Sequence, residues 1–478
     1  MNNTIDNTKL AGVLKTFDKA DRLAAKRFLG SSYFNSSQEL VSLFLEILKL
    51  QEKNRPLDKV KLWKKISGNK SYSDLRFRKY CSDLSKLMER FLAQQAFDED
   101  EVQQKIFLLK RINQQEQKAE KLANSTINSV AKFMEDYPFR DSSYFMNQFL
   151  LHKNFYDYHD YDTKRGEQSN LNEISEYLDL MYFSEKLRIS SEAIQRKNFK
   201  VADYNSAFTS ELEEHIIQTQ LLDRSPAVNL YYQSHKMWTD VDNTEHYYKL
   251  KSLIESYASL FPPKKAINDF YTTAQNYCVN KINSGKREFL NELFELFKLQ
   301  IQQELLLTDG KLNPWYFRNI IVVALRLGEY DWVENFINEF KNDLPETHKE
   351  NAVTYNMAQL YFYQKRYEKV LEQLRFVEYD DISYNLNSKV MLMLTYYELD
   401  EIDLLDSHLD TFNTFIKRRR DFTEKRKAPY KALIRYTKKL VRIIPNDKSA
   451  LEKLKKEIHE HPNIANASWL LEKIQELE

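Results

Sequence analysis

A chain of 478 residues is longer than one hydrophobic core usually serves, so two or three lobes or an elongated array are expected. Hydrophobic residues at 42% and charged residues at 29% exclude a disordered chain, and 71 basic against 70 acidic side chains exclude a global field that would draw in nucleic acid or an anionic membrane. Only 7 glycines, 10 prolines and two distant cysteines, Cys81 and Cys278, argue against a disulfide framework or a cysteine zinc site and point to helix in a reducing compartment.

The stretch from Met1 to Leu10 is polar and lacks the apolar run of a signal peptide. No later segment approaches the roughly 18 apolar residues that span a bilayer, so a cytoplasmic location without membrane contact is expected. The 30 tyrosines and 29 phenylalanines are read as core residues of an AT-rich coding bias rather than as ligand-stacking surfaces.

Leu10, Val13, Leu14, Phe17 and Leu23 recur at three- and four-residue spacing and predict an amphipathic helix over Leu10 to Phe28. Ser31 to Ser37 reads as a break, Leu40 to Leu50 as helix, and Pro56 as the opening of a short helix ending near Gly68. Ser73-Asp74 caps a long helix through Leu84, Leu87, Phe91 and Leu92. From Glu99 to Tyr137 the pattern stays helical, with a polar middle at Gln114 to Glu120 that suits a solvated or bridging helix, and Pro138 closes it. Asp157 to Asn170 is expected to be a loop. Beyond Leu171 helices alternate with turns at Arg224 to Pro226, Asp240 to Thr244, Pro262-Pro263, Ser284-Gly285 and Asp309 to Pro314, and essentially no sheet is predicted.

Between Pro314 and Lys417 a unit recurs at about 34 to 37 residues. Gly328-Glu329-Tyr330, Lys365-Arg366-Tyr367 and Asp400-Glu401-Ile402 take equivalent steps between helices. Ala358 with Tyr361 and Met393 with Tyr396 precede the second and third steps; Val333 with Ile337, Val370 with Leu374 and Leu405 with Leu409 follow the three in turn; Pro345 closes the first unit. The pattern resembles the tetratricopeptide repeat over roughly a quarter of the chain, extending more loosely from Leu171 to Leu477. It departs from the family in Phe317, which replaces the early tryptophan, and in Ile321 and Met393, which replace small residues. The resemblance implies an all-α, irregular tetratricopeptide-like α-solenoid of helical hairpins, with a concave surface where family members mostly bind peptides or proteins. Tyr361, Tyr363 and Tyr396 are the candidate peptide contacts, although Tyr361 and Tyr396 hold motif positions that more often pack between helices.

The expected organisation is an N-terminal helical domain over 1–137, a divergent hairpin array over 138–312, and the repeats with C-terminal helices over 313–478. Within the first, Lys59 to Arg90 is basic: Lys59, Lys61, Lys64, Lys65, Lys70, Arg76, Arg78, Lys79, Lys86 and Arg90 face only Asp74, Asp83 and Glu89. Two helices joined by a Gly-containing turn suit a helix-turn-helix unit at 57–97, with Lys64, Lys65, Arg76, Arg78 and Lys79 as candidate nucleic-acid contacts. The segment resembles winged-helix regulators that carry helical repeats downstream, but the helical pattern after Phe91 leaves no room for a wing. A second basic run, Lys417 to Arg420 with Lys425, Arg426 and Lys427, complements a helix C-terminus.

His152, His159, Asp160 and Asp162 form the densest set of potential metal ligands, yet His152 and His159 are about 10 Å apart on a helix, too far to share an ion. His459-Glu460-His461 lacks zinc-protease spacing. No phosphate-cradling glycine loop, nucleophile elbow or Cys-His pairing occurs, so neither an enzyme nor a cofactor is expected. The expected function is a non-catalytic scaffold or adaptor in a bacterial cytoplasm that holds a protein or peptide partner; the alternative is a nucleic-acid-binding transcription regulator with a helical-repeat sensor arm.

Overall fold

In a computed structural model the described residues are 3–68, 70–115, 119–159, 168–198, 207–374, 382–419, 423–461 and 463–478. Among them are 24 α-helices and two strands of two residues each, an all-α fold. No helix among the described residues is long and apolar enough to cross a membrane. The chain divides into two compact units: Met1–Ile189 with Ala207–Val228, and Ser190–Ser206 with Asn229–Glu478.

The first unit begins with α1 (Lys9–Thr16), α2 (Lys19–Gly30), α3 (Gln38–Glu52), α4 (Lys59–Ser67) and α5 (Asp74–Asp98). Where the periodicity predicts one helix from Leu10 to Phe28, two form. Asp18 accepts the Asp21 N–H (2.8 Å) and Asp21 accepts the Asp18 N–H (3.2 Å), a reciprocal cap that starts α2 afresh. The restart turns Leu23 to solvent, 53% exposed. Leu14, Leu43, Phe44, Trp63, Phe77 and Leu84 interlock in one core shared by all five helices. The N-terminal segment is stitched to the entry of α4 by Ile5 N–H to Leu57 O and Lys59 N–H to Asn3 O, each 3.0 Å.

Next come α6 (Glu101–Asn113), α7 (Glu120–Asp136) and α8 (Ser142–Tyr158). α6 ends at Asn113 and α7 starts at Glu120; residues 116–118 of the polar stretch lie outside the described residues. α8 packs on both α6 and α7, so the expected boundary near Pro138 falls inside this unit. α9 (Leu171–Asn198), α10 (Thr209–Gln218), α11 (Leu221–Arg224) and α12 (Pro226–Thr239) follow; most of the loop expected from Asp157 to Asn170 lies outside the described residues.

In the second unit α13 (Glu245–Tyr257) leads through a 3₁₀ turn and a π-turn to α14 (Asn268–Asn283) and α15 (Phe289–Gln302). A minimal hairpin, β1 (Leu307–Thr308) with β2 (Lys311–Leu312), turns at Asp309 and Gly310, both at positive φ, the conformation that Asp-Gly supplies readily. The remaining helices are α16 (Pro314–Leu327), α17 (Tyr330–Phe340), α18 (Glu346–Tyr363), α19 (Tyr367–Leu374), α20 (Ile382–Glu398), α21 (Ile402–Arg418), α22 (Glu424–Leu440), α23 (Lys448–Glu460) and α24 (Ala467–Leu477). Each of α16, α18 and α20 packs on the helix that follows it, and α18 also packs on both α16 and α20.

The ends of α16, α18 and α20 share one closure. Gly328, Lys365 and Asp400 are left-handed, with φ of 82°, 58° and 56°. Glu329 N–H then bonds Ala324 O, Arg366 N–H bonds Tyr361 O, and Glu401 N–H bonds Tyr396 O, at 3.0, 2.9 and 2.9 Å. This is the bond that satisfies a helix's orphan carbonyls while reversing the chain. Tyr355, Ala358, Val370, Leu374 and Met391 fill the space between α18, α19 and α20, and a larger core centred on Phe412, Leu433, Leu451 and Leu470 binds α20 to α24.

Candidate functional site

Positive charge concentrates on the outer faces of α4 and α5. Leu62, Trp63 and Ile66 are buried, so the helical period sends Lys61, Lys64 and Lys65 outward. The Trp63 indole N–H donates to Lys70 O (3.0 Å) and its ring meets Tyr72 edge-on, which pins the approach to α5. The Ser73 hydroxyl accepts the Arg76 N–H and starts that helix, and buried Phe77 and Leu84 leave Arg76, Arg78 and Lys79 on the outside.

Two of the three acids of this segment, Asp74 and Glu89, are engaged. Asp74 accepts from the Tyr72 hydroxyl (2.8 Å) and pairs with Arg78 (2.7 Å) and Lys59 (3.9 Å); the Tyr72 hydrogen bond first, then the two cations, hold its carboxyl below the usual range. Glu89 pairs with Lys9 at 2.8 Å. Of the five candidate contacts, Arg78 is therefore partnered, while Lys64, Lys65, Arg76 and Lys79 have no carboxylate within 4.0 Å among the described residues. No β-hairpin follows, because α5 continues to Asp98 and α6 starts at Glu101. The helix pair stands without a wing.

The tyrosines of the repeat divide. Tyr361 is half-buried beside Tyr355 and Ala358, with the Arg366 and Lys369 cations over its ring at 5.5 and 5.3 Å. Tyr396 meets the His408 ring edge-on at 5.6 Å and packs against the C-terminal core. Both serve packing between helices. Tyr363 is the exposed member, at 39%.

Sequence patterns did not single out the interior polar groups of the second unit. The Tyr247 hydroxyl and the Lys251 ammonium both donate to Glu292 Oε2, at 2.9 and 2.7 Å, and burial pushes the Tyr247 hydroxyl far above its ordinary pKa. Gln275 donates to Gln300, which donates to Asn268 Oδ1 at 2.9 Å. Lys473 donates to Glu398 Oε2 (3.0 Å) and to Glu476, while the Trp469 indole donates to Glu398 Oε1, which the ammonium also approaches to 2.9 Å. Burial alone would lower the Lys473 pKa, but the carboxylates outweigh it and hold the ammonium charged. These bonds tie neighbouring helices together and fix their register.

His152 stacks on Tyr177 and His159 on Phe155, whereas Asp160 and Asp162 lie outside the described residues. Among the described residues no group of three or more His, Cys, Asp or Glu could hold a metal ion. An open depression of about 280 Å³ is lined by Glu176, Asp179, His215 and Arg224, all of them exposed; it lacks the buried ionisable groups of a catalytic pocket. The chain matches no family model, no curated protein and no solved structure.

Proposed function

We propose that the protein is a non-catalytic, cytoplasmic scaffold or adaptor whose second unit holds a protein segment along an array of helical hairpins. The observation that carries this reading is the succession of helix pairs from α16 to α21, in which α16, α18 and α20 each pack on the following helix and α18 packs on both α16 and α20; the left-handed closure at Gly328, Lys365 and Asp400 recurs within it, and also ends α3, α14 and α15. Repetition of one hairpin with one reversal is how tetratricopeptide-like arrays build an extended binding face, because each unit buries its stripe against the adjoining one.

Trp315 and Tyr363 are exposed at 54% and 39% on the first helices of successive hairpins and are the aromatic anchors such a face would use. The test replaces each in turn with a photocrosslinking residue and irradiates the native cell. A discrete polypeptide joined to the chain after nuclease treatment is expected. Crosslinks to nucleic acid alone, or none at either position, would overturn the reading.

A further inference from the structure

We propose that α4 and the first turns of α5 form a docking surface for the phosphodiester backbone of duplex DNA. This inference is independent of the scaffold reading and concerns the other unit. Its basis is the set of outward cations Lys61, Lys64, Lys65, Arg76, Lys79 and Lys86, none of which has a carboxylate within 4.0 Å among the described residues. Of the acids that share the segment, Asp74 is taken by Arg78 and Lys59 and Glu89 by Lys9, which leaves Asp83, about one helical turn from Lys79 and Lys86, as the one acid set against these six cations. Lys70 lies in the turn between the two helices and is not counted with them.

The arrangement decides between polyanions. A protein partner buries an apolar centre, and a membrane surface takes up several apolar side chains. The outer face here offers one strongly exposed apolar residue, Leu75, at 82%, and a partly exposed Tyr72 whose hydroxyl is held by Asp74. Ser71 and Ser82 are also exposed and polar. Cations on two helices, with Arg76, Lys79 and Lys86 spread over about 15 Å of one helix axis, match a row of phosphates better than a point charge. Leu75 and Arg76 occupy the start of the second helix, the position from which a helix-turn-helix unit reaches base edges; an exposed leucine there can meet a thymine methyl.

The test is fluorescence anisotropy of the full chain with a labelled 20-bp duplex across 50 to 200 mM salt. Six cations each displacing a counterion give a log–log slope of about −5, a loss of affinity near a thousandfold over that range. Charge reversal at Lys64, Lys65, Arg76 and Lys79 should abolish binding, and replacing the same four by Gln should reduce the slope to about −2, with the circular dichroism of both variants unchanged. A control with equal charge change, Lys265, Lys448, Lys453 and Lys456 to Glu, should bind as the parent does. Poly-glutamate of equal charge should fail to compete. The proposal is overturned by no binding at 50 mM salt, by equal loss in the control, by a Gln variant that keeps the parental slope, or by poly-glutamate competing as well as unlabelled duplex.

Discussion

Lys473 of α24 places its ammonium 2.9 Å from Glu398 of α20, an ion pair with side-chain exposures of only 6% and 14% that spans the last hairpins of the chain. Its Lys473 end also holds Glu476, and its Glu398 end the Trp469 indole. Removing one partner leaves the other charge buried. Lys473→Met is therefore expected to lower the unfolding free energy by about 3 kcal/mol, measured by urea denaturation. Glu476→Ala, whose side chain is half exposed, should cost less than about 1 kcal/mol. Equal effects of the two would show that the buried pair is not the element that matters.

The left-handed corners give a prediction of opposite sign. Lys365 and Asp400 hold φ values of 58° and 56°, a conformation that costs a side-chain-bearing residue roughly 1 to 2 kcal/mol. Lys365→Gly should raise the unfolding free energy by about 0.5 to 1 kcal/mol after glycine's extra unfolded-state entropy is subtracted, read as a higher thermal midpoint. Gly328→Ala should lower it by a similar amount. A destabilised Lys365→Gly would mean that the corner is not left-handed in solution.

Three histidines tie stability to pH. Burial lowers the pKa of His408, against a weaker opposing hydrogen bond from its Nε2–H to the Lys389 carbonyl; burial likewise lowers His152 and His246. Because the unfolded chain takes up these protons first, the stability they confer is complete above pH 6.5 and is lost as pH falls through their depressed folded values, at no more than about 1.4 kcal/mol per group per pH unit. The urea midpoint should thus fall between pH 7.5 and 5.5. His408→Gln, which keeps a donor for the carbonyl, should remove part of that fall; an unchanged pH profile would rule His408 out as a contributor. The carboxylates with lowered values, Glu39 and Glu457 among them, act only below about pH 4.5.

Thiol chemistry separates the two cysteines. Burial raises Cys81 to about 11 and Cys278 to about 12, so both are almost wholly protonated at pH 8. Cys81 borders an open depression beside Thr8, Lys9 and Glu89, whereas Cys278 is fully buried. Native protein should react with a disulfide reagent slowly and at Cys81 first, and unfolded protein rapidly at both. Faster modification of Cys278 would contradict the placement of α14.

Local chemistry carries the legible part of the fold. Ser73 announces α5, Gly328 the corner after α16, and Asp309-Gly310 a turn, though not the two short strands that flank it, because each residue type favours the conformation it adopts. Leu62, Trp63 and Ile66 likewise reveal that Lys64 and Lys65 point outward. What escapes is whatever depends on partners distant in sequence. The Asp18 and Asp21 cap interrupts a stripe whose spacing alone runs on through Leu23, and nothing in Lys365 or Asp400 advertises positive φ. The engagement of Glu89 by Lys9, and of Glu398 by Lys473, joins residues far apart along the chain, so neither the net charge of the basic face nor the buried pair is visible to local patterns.

The closures after α16, α18 and α20 are made by main-chain atoms alone, and two of the three corners use residues other than glycine. Heredity can therefore rewrite the letters at these bends at a cost of a kilocalorie or so, while a single inserted residue would swing the next rod by about 100° and face its oily side to water. Descendants of such a chain would drift freely in spelling and hold fast in metre: kinship would persist in the distances between bends long after it had faded from the residues themselves.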